Sequence, residues 1–204
     1  MTPYQVSLQA GWNMFSMPFS NPTQFVVDNP ANVLSCFSYD STTGTYVKQA
    51  FTQAGFTQPV GGPPNQYIGY WVFCSAPVVL TVNGDNSAAN PIQTSLTAGW
   101  NLVGQPLSRD ISTSSLQFNS LNLTTAVTDG LIGSQGYLYS PLSGAYVPLS
   151  YQTNATFQGF GAAWVFGFQA GVLSATPPTL TSLTLSSTPS VTSGLTVGNV
   201  VTSL

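Results

Sequence analysis

The chain has 204 residues, of which seven are charged: Lys48, Arg109, Asp28, Asp40, Asp85, Asp110 and Asp129. It contains no histidine and no glutamate, whereas Ser, Thr, Asn and Gln together supply 76 residues. Two cations are too few for nucleic-acid binding by counterion release or for docking on anionic lipid. The lack of histidine excludes Cys–His nucleophiles and the usual zinc sets.

Hydrophobic residues make up 43% and aromatic residues 12%, enough to bury the core of one large or two small domains. The charged fraction of 3% is far below the ~25% of ordinary globular chains. Solubility must therefore rest on hydroxyls and amides, which is expected of a secreted, cell-surface or virion protein. With five Asp as the only acids, few groups gain a proton on acidification, so the fold is expected to tolerate acid. Met1-Thr-Pro-Tyr4 lacks the basic start and apolar run of a signal peptide. Either a signal has been removed or the protein leaves the cell by lysis, as phage proteins do. The longest apolar stretch, Tyr67 to Val82, is broken by Gly69, Ser75 and Pro77, so no membrane insertion is expected.

In chain order, three blocks recur. Ser7-Leu-Gln-Ala-Gly-Trp-Asn-Met-Phe-Ser-Met-Pro-Phe19 returns as Ser95-Leu-Thr-Ala-Gly-Trp-Asn-Leu-Val-Gly-Gln-Pro-Leu107, offset by 88. Tyr39-Asp-Ser-Thr-Thr-Gly-Thr-Tyr-Val47 returns as Tyr139-Ser-Pro-Leu-Ser-Gly-Ala-Tyr-Val147, offset by 100. Trp71-Val-Phe73 returns as Trp164-Val-Phe166, offset by 93. Conserved order with small changes of offset is a tandem duplication. It divides the chain into 1–88, 89–176 and a remaining arm, 177–204.

Each block reads as strand. Met14–Phe19, Val33–Tyr39, Thr45–Val47, Ile68–Phe73 and Val78–Val82 are rich in β-branched and aromatic residues between Gly, Pro, Asn and Asp. Ser41–Gly44 and Leu142–Gly144 read as hairpin loops. No window sustains a helical period; one short turn of helix is allowed within Ser112–Asn122. The four tryptophans, Trp12, Trp71, Trp100 and Trp164, all fall at repeated positions. Kept type and spacing point to core anchors, with Gly and Asn of each Gly-Trp-Asn turning the indole inward. The alternative is an exposed aromatic platform for sugar rings.

Cys36 and Cys74 correspond to Gly136 and Gly167 in the second copy. Their joint replacement suggests that they touch on adjacent strands, as a disulfide or as two buried thiols. From Pro177 onward there is no aromatic and no charged residue. Thr179–Ser186 and Leu195–Val201 read as strands of an arm that would lie on the chain's own domains or, by strand addition, on a neighbouring subunit, through Leu180, Leu183, Leu185, Leu195 and Val197. The alternative is a linker, and Thr179–Val197 faintly resembles the opening strands of a bacterial Ig-like domain.

Little chemistry is visible. The five Asp are scattered and none pairs in sequence, so a hydrolase would need two of them to meet in a cleft. Asn83-Gly-Asp85-Asn86 would supply at most one edge of a weak calcium site, and Gly61-Gly-Pro-Pro64 is a loop without the strand–helix context of a phosphate cradle. Asn122-Leu-Thr124 and Asn154-Ala-Thr156 are sequons that this composition can produce by accident. No cofactor is expected.

The blocks Leu-x-x-Gly-Trp-Asn-x-x-x-x-Pro, Tyr-Asp…Gly…Tyr and Gly-Tyr-Trp-Val resemble the "GWN" β-repeats of bacterial and archaeal extracellular proteins. Leu8, Gly11, Trp12, Asn13, Pro18, Tyr39, Asp40, Gly69, Tyr70 and Trp71 carry the likeness over residues 1–176. The second copy is weaker, with Ala162-Ala163-Trp164 for Gly-Tyr-Trp and Ser140 for Asp40. The resemblance implies surface-layer, adhesion or other extracellular modules and transfers no catalytic residue. The expected fold is all-β: two tandem homologous barrels or sandwiches with an extended C-terminal arm. The expected function is a non-enzymatic structural subunit of an extracellular assembly, foremost a virion component such as a capsid decoration, vertex or tail protein. Its partners would be other copies of itself or other structural subunits. The alternative is a secreted surface module for adhesion or glycan binding.

Overall fold

A computed structural model describes residues 3–19, 22–53, 67–84 and 92–175. The arm positions Leu180, Leu183, Leu185, Leu195 and Val197, the 61–64 loop, and Asp85 and Asn86 lie outside these residues. The protein is all-β, built of antiparallel sheets in a sandwich-like arrangement with no closed barrel. The first half contributes β1 (Tyr4–Leu8), β2 (Gly11–Ser16), β3 (Pro22–Val27), β4 (Val33–Asp40), β5 (Thr45–Lys48), β6 (Gly69–Cys74) and β7 (Val78–Gly84). They pair in the orders β1-β7-β3 and β2-β6-β4-β5.

The second half contributes β8 (Ile92–Leu96), β9 (Gly99–Gly104), β10 (Ile111–Ser112), β11 (Leu116–Phe118), β12 (Leu121–Asn122), β13 (Gln135–Ser140), β14 (Ala145–Ser150), β15 (Thr156–Phe157), β16 (Ala162–Gly167) and β17 (Gly171–Ala175). Its main sheets run β8-β17-β11-β12 and β9-β16-β13-β14, with β10 and β15 as a separate pair. The registers repeat residue for residue. Trp12 faces Phe73 as Trp100 faces Phe166, and Met14 faces Trp71 as Leu102 faces Trp164. Tyr39 faces Tyr46 as Tyr139 faces Tyr146.

The short helical turn allowed within Ser112–Asn122 forms, and a further helix follows it. Within Ser112–Asn122 only the 3-10 turn Thr113–Ser115 forms. The six-residue helix α1, Leu123–Thr128, begins where the Asn122 side chain accepts from the Thr125 N–H at 2.8 Å. β11 pairs with β17 as β3 pairs with β7, and the added β12 and α1 enlarge the second core, where Leu123 and Ala126 are buried together with Leu116, Phe118, Leu96, Val103, Val165 and Leu173. Phe118 fits because Gly171 stands where the first copy has Val78; a Cβ on Gly171 would lie 2.3 Å from the Phe118 ring.

The first core gathers Leu8, Phe15, Phe19, Cys36, Val72, Cys74, Val78, Leu80 and Val82. Cys36 and Cys74 are buried free thiols, the second of the two arrangements expected for them. They share this core on adjacent strands, but Cys36 faces Val72 while Cys74 faces Val33. A register shift between Val33 and Ser35 separates these two pairings, so the thiols are staggered along the strands rather than directly opposite. Their joint replacement by glycine has two separate causes. A Cβ on Gly136 would meet the Tyr151 hydroxyl at 2.7 Å, so the second copy fills the thiol's space with a tyrosine. A Cβ on Gly167 would meet the Gln169 and Thr97 carbonyl oxygens at 2.9 and 3.0 Å.

Contacts between the two halves of the chain come in reciprocal pairs. Ser16 N–H donates to the Phe160 carbonyl at 2.8 Å, and Gly104 N–H donates to the Tyr67 carbonyl at 3.1 Å. Tyr67 of the first copy is buried in the second core, and Phe160 of the second copy in the first. Gly69 permits the approach, because its Cβ would stand 2.7 Å from Leu102 Cγ and 2.9 Å from Ala162 Cβ. Gly69→Val should therefore lower unfolding free energy by about 1–3 kcal/mol through overpacking. Leu142→Ala, at a hairpin tip, should change it by less than ~0.5 kcal/mol. Denaturant unfolding of both variants checks this, and equal midpoints would refute the close approach.

Burial raises the Cys36 thiol and the Tyr67 and Tyr70 hydroxyls each to about 12. Their neutral forms favour the fold, so this stability is complete below pH ~9 and is lost as pH climbs towards 12. On the acid side, the Thr42 hydroxyl and N–H hold the exposed Asp40 carboxylate below its usual value. Its contribution is present above that value and fades only as pH falls through the lowered one. Denaturation midpoints should be level from pH 8 down to pH 4 and should fall above pH 9; collapse near pH 4 would contradict the reading.

Candidate functional site: paired aromatic clefts

The outer faces of the sheets β2-β6-β4-β5 and β9-β16-β13-β14 meet, and Trp71 and Trp164 lie buried between them with Leu102 and Ala162. Each of these indoles is covered by tyrosines from the opposite copy's hairpin. Tyr39 and Tyr46 stand over Trp164 with ring centroids at 4.8 and 6.5 Å, and Tyr139 and Tyr146 over Trp71 at 5.0 and 6.3 Å. All four contacts are edge-on, between 70° and 86°, each of a kind worth ~0.5–1.5 kcal/mol beyond burial.

The hairpin loops that deliver these tyrosines are matched. Gly44 N–H donates to the Asp40 carbonyl and Gly144 N–H to the Ser140 carbonyl, both at 2.9 Å. Both glycines hold positive φ, +69° and +64°, where other residues are strained. Burial, and then the neighbouring Tyr146 and Tyr39 hydroxyls, push the Tyr46 hydroxyl pKa up, so it remains a neutral donor and acceptor at physiological pH.

Trp12 and Trp100 are not core anchors. They are 40% and 43% exposed, whereas Trp71 and Trp164 are buried. The reason lies in Gly-Trp-Asn itself. Gly11 and Gly99 take φ of +90° and +98°, and it is the asparagine that turns inward. Asn13 accepts from Gln9 N–H at 2.8 Å and donates to the Gln9 and Gly11 carbonyls at 2.8 and 3.1 Å. Asn101 repeats this on Thr97 and Gly99 at 3.0, 2.9 and 3.0 Å. Strand alternation then sends each tryptophan to the opposite face. There the strand ends carrying Trp12 and Trp100 lie away from the Ser16–Gly104 junction.

Two equivalent clefts result. One, of about 500 Å³, is lined by Trp12, Phe37, Tyr46, Trp71, Tyr139 and Tyr146. The other, of about 570 Å³, is lined by Trp100, Tyr137, Tyr146, Trp164, Tyr39 and Tyr46, with Gly44. Each aromatic residue in one has its repeat partner in the other, and Tyr46 and Tyr146 belong to both. These volumes fall in the range of small-molecule sites, ~300–1,000 Å³. The sequence marked Trp12, Trp71, Trp100 and Trp164, and the structure brings all four to these clefts. It also adds Tyr46 and Tyr146, whose signal was their place in the repeated hairpin block.

The acids serve the backbone. Asp28 accepts from Val79 N–H at 3.0 Å, Asp40 from Thr42 N–H at 2.9 Å and Asp110 from Gly159 N–H at 2.9 Å. Among the described residues no cluster of three metal-ligating side chains occurs, and no helix is long and apolar enough to cross a membrane.

Removing the clamp tests how the site is built. Asn101→Ala should cost about 1–3 kcal/mol by leaving the Thr97 N–H and two carbonyls unpaired, and Asn13→Ala should match it. Unfolding midpoints check this; an unchanged value for either variant would show the clamp to be idle. No family model, curated protein or solved structure matches the chain.

Proposed function

We propose that this chain is a non-enzymatic structural subunit of an extracellular assembly, foremost a virion component, in which two fused copies of one β-sandwich domain form a single pseudo-symmetric body. The observation that carries this reading is the reciprocal aromatic junction, which turns a duplication into one body while leaving an open aromatic face. Tyr46 and Tyr146 are 55% and 53% exposed beside Trp12 and Trp100. Contiguous exposed aromatic surface is characteristic of interaction sites. The near-absence of charge suits an extracellular surface, as does the resemblance to GWN-type repeats.

A second reading, a secreted adhesion or carbohydrate-binding module, draws on the same clefts. The two readings separate by assembly. The intact chain should form a defined oligomer, and a version ending at Thr176 should be a monomer, by light scattering in solution. If both are monomers, the subunit reading fails and the adhesion module takes its place.

A further inference from the structure

We propose that the two aromatic clefts form one continuous binding site for a neutral oligosaccharide, which stacks on Trp12 at one end and on Trp100 at the other and crosses the Tyr46–Tyr146 pair between them.

Continuity is visible in the ring contacts. Trp12 meets Trp71 at 6.0 Å, Trp71 meets Tyr146 at 6.3 Å, Tyr146 meets Tyr137 at 6.5 Å and Tyr137 meets Trp100 at 5.9 Å. Every one of these contacts is tilted or edge-on, from 59° to 89°. None of these contacts is face to face, so the partly exposed indoles at the ends keep ring surface for a ligand. Trp12 and Trp100 are also supported from beside, by Phe73 at 5.0 Å and Phe166 at 5.1 Å. A supported ring loses little conformational freedom on binding, which favours affinity.

The chemistry of the lining selects the ligand class. Among the described residues no Asp, Lys or Arg lines either cleft, so a charged ligand would lose its hydration without gaining a counter-charge from them. The polar groups on offer are tyrosine hydroxyls and indole N–H groups set among apolar ring surface. A pyranose matches this, since it presents a flat C–H face to an aromatic ring and hydroxyls around its rim to tyrosine. The duplication supplies the remaining argument. Two equivalent clefts joined through shared residues suit a ligand that itself repeats, and a chain of identical sugars does so. Bridging adds affinity beyond either cleft alone.

The site does not depend on oligomeric state, so the two proposals fail separately. The full chain would be titrated with neutral hexasaccharides of glucose, mannose or N-acetylglucosamine and with the matching disaccharides, followed by tryptophan fluorescence. At least one neutral hexasaccharide should saturate the signal, with its disaccharide about 100-fold weaker. Trp12→Ala and Trp100→Ala should each weaken the hexasaccharide roughly tenfold or more, the double variant should abolish binding, and Trp→Phe should retain most of it. Near-ultraviolet circular dichroism confirms that each variant is folded, and the Phe variants keep the test valid if an Ala variant is not. The inference is overturned if no neutral hexasaccharide binds, if a folded double variant binds like the parent, or if only apolar peptides of similar length bind. A monomer that binds glycan keeps this inference and removes the subunit reading; an oligomer that binds none does the reverse.

Discussion

Trp71 and Trp164 are each buried beneath two tyrosines that the opposite copy sends across on a hairpin, and the remaining architecture is arranged around that exchange. It explains why the outer faces of two sheets are aromatic when solvent-facing β surfaces are usually polar. It explains why the hairpins keep Gly44 and Gly144, since the tyrosines arrive in position only if the four-residue loops close with positive φ. It also explains the glycine at position 69, where any side chain would strike Leu102 and Ala162. The cores add a second exchange, with Tyr67 and Phe160 each closing the other copy's interior.

Against that symmetry, the differences between the copies are volume compensations. Where the first copy holds Cys36, the second has Gly136 and places the Tyr151 hydroxyl in the vacated space. Where the first holds Val78 and Val27, the second has Gly171 and the larger Phe118. Close packing demands such pairs of changes, because a void or an overlap of one methyl group is already costly. The lost cysteines therefore record repacking against other groups rather than a lost bond between themselves.

The clefts arise where the junction ends. The sheets are held close at Ser16, Gly69, Gly104 and Ala162, and Trp12 and Trp100 stand at the far ends of their strands. Asn13 and Asn101 occupy the inward positions beside them, and their buried amides must satisfy backbone groups to remain there. The indoles thus line an opening whose floor is the junction itself, so recognition and cohesion use the same rings.

By itself the sequence determined that the protein is all-β, where most strands lie, where the hairpins turn and which residues are copies of one another. These are local matters: β-branched and aromatic runs, glycine at turns, and blocks that repeat. It also singled out the four tryptophans but read all of them as core anchors, whereas only Trp71 and Trp164 are buried, because a kept type and spacing does not say which face of the strand a Trp takes. The placement of α1 just beyond the expected window turned on the Asn122 cap, a single hydrogen bond with no periodic signature. The stagger between Cys36 and Cys74, the reciprocal burial of Tyr67 and Phe160, and the union of Tyr46 and Tyr146 in both clefts were decided only by the tertiary structure. Each depends on how two sheets distant in sequence are registered and rotated against one another, and that geometry is set by packing across the junction rather than by any local pattern.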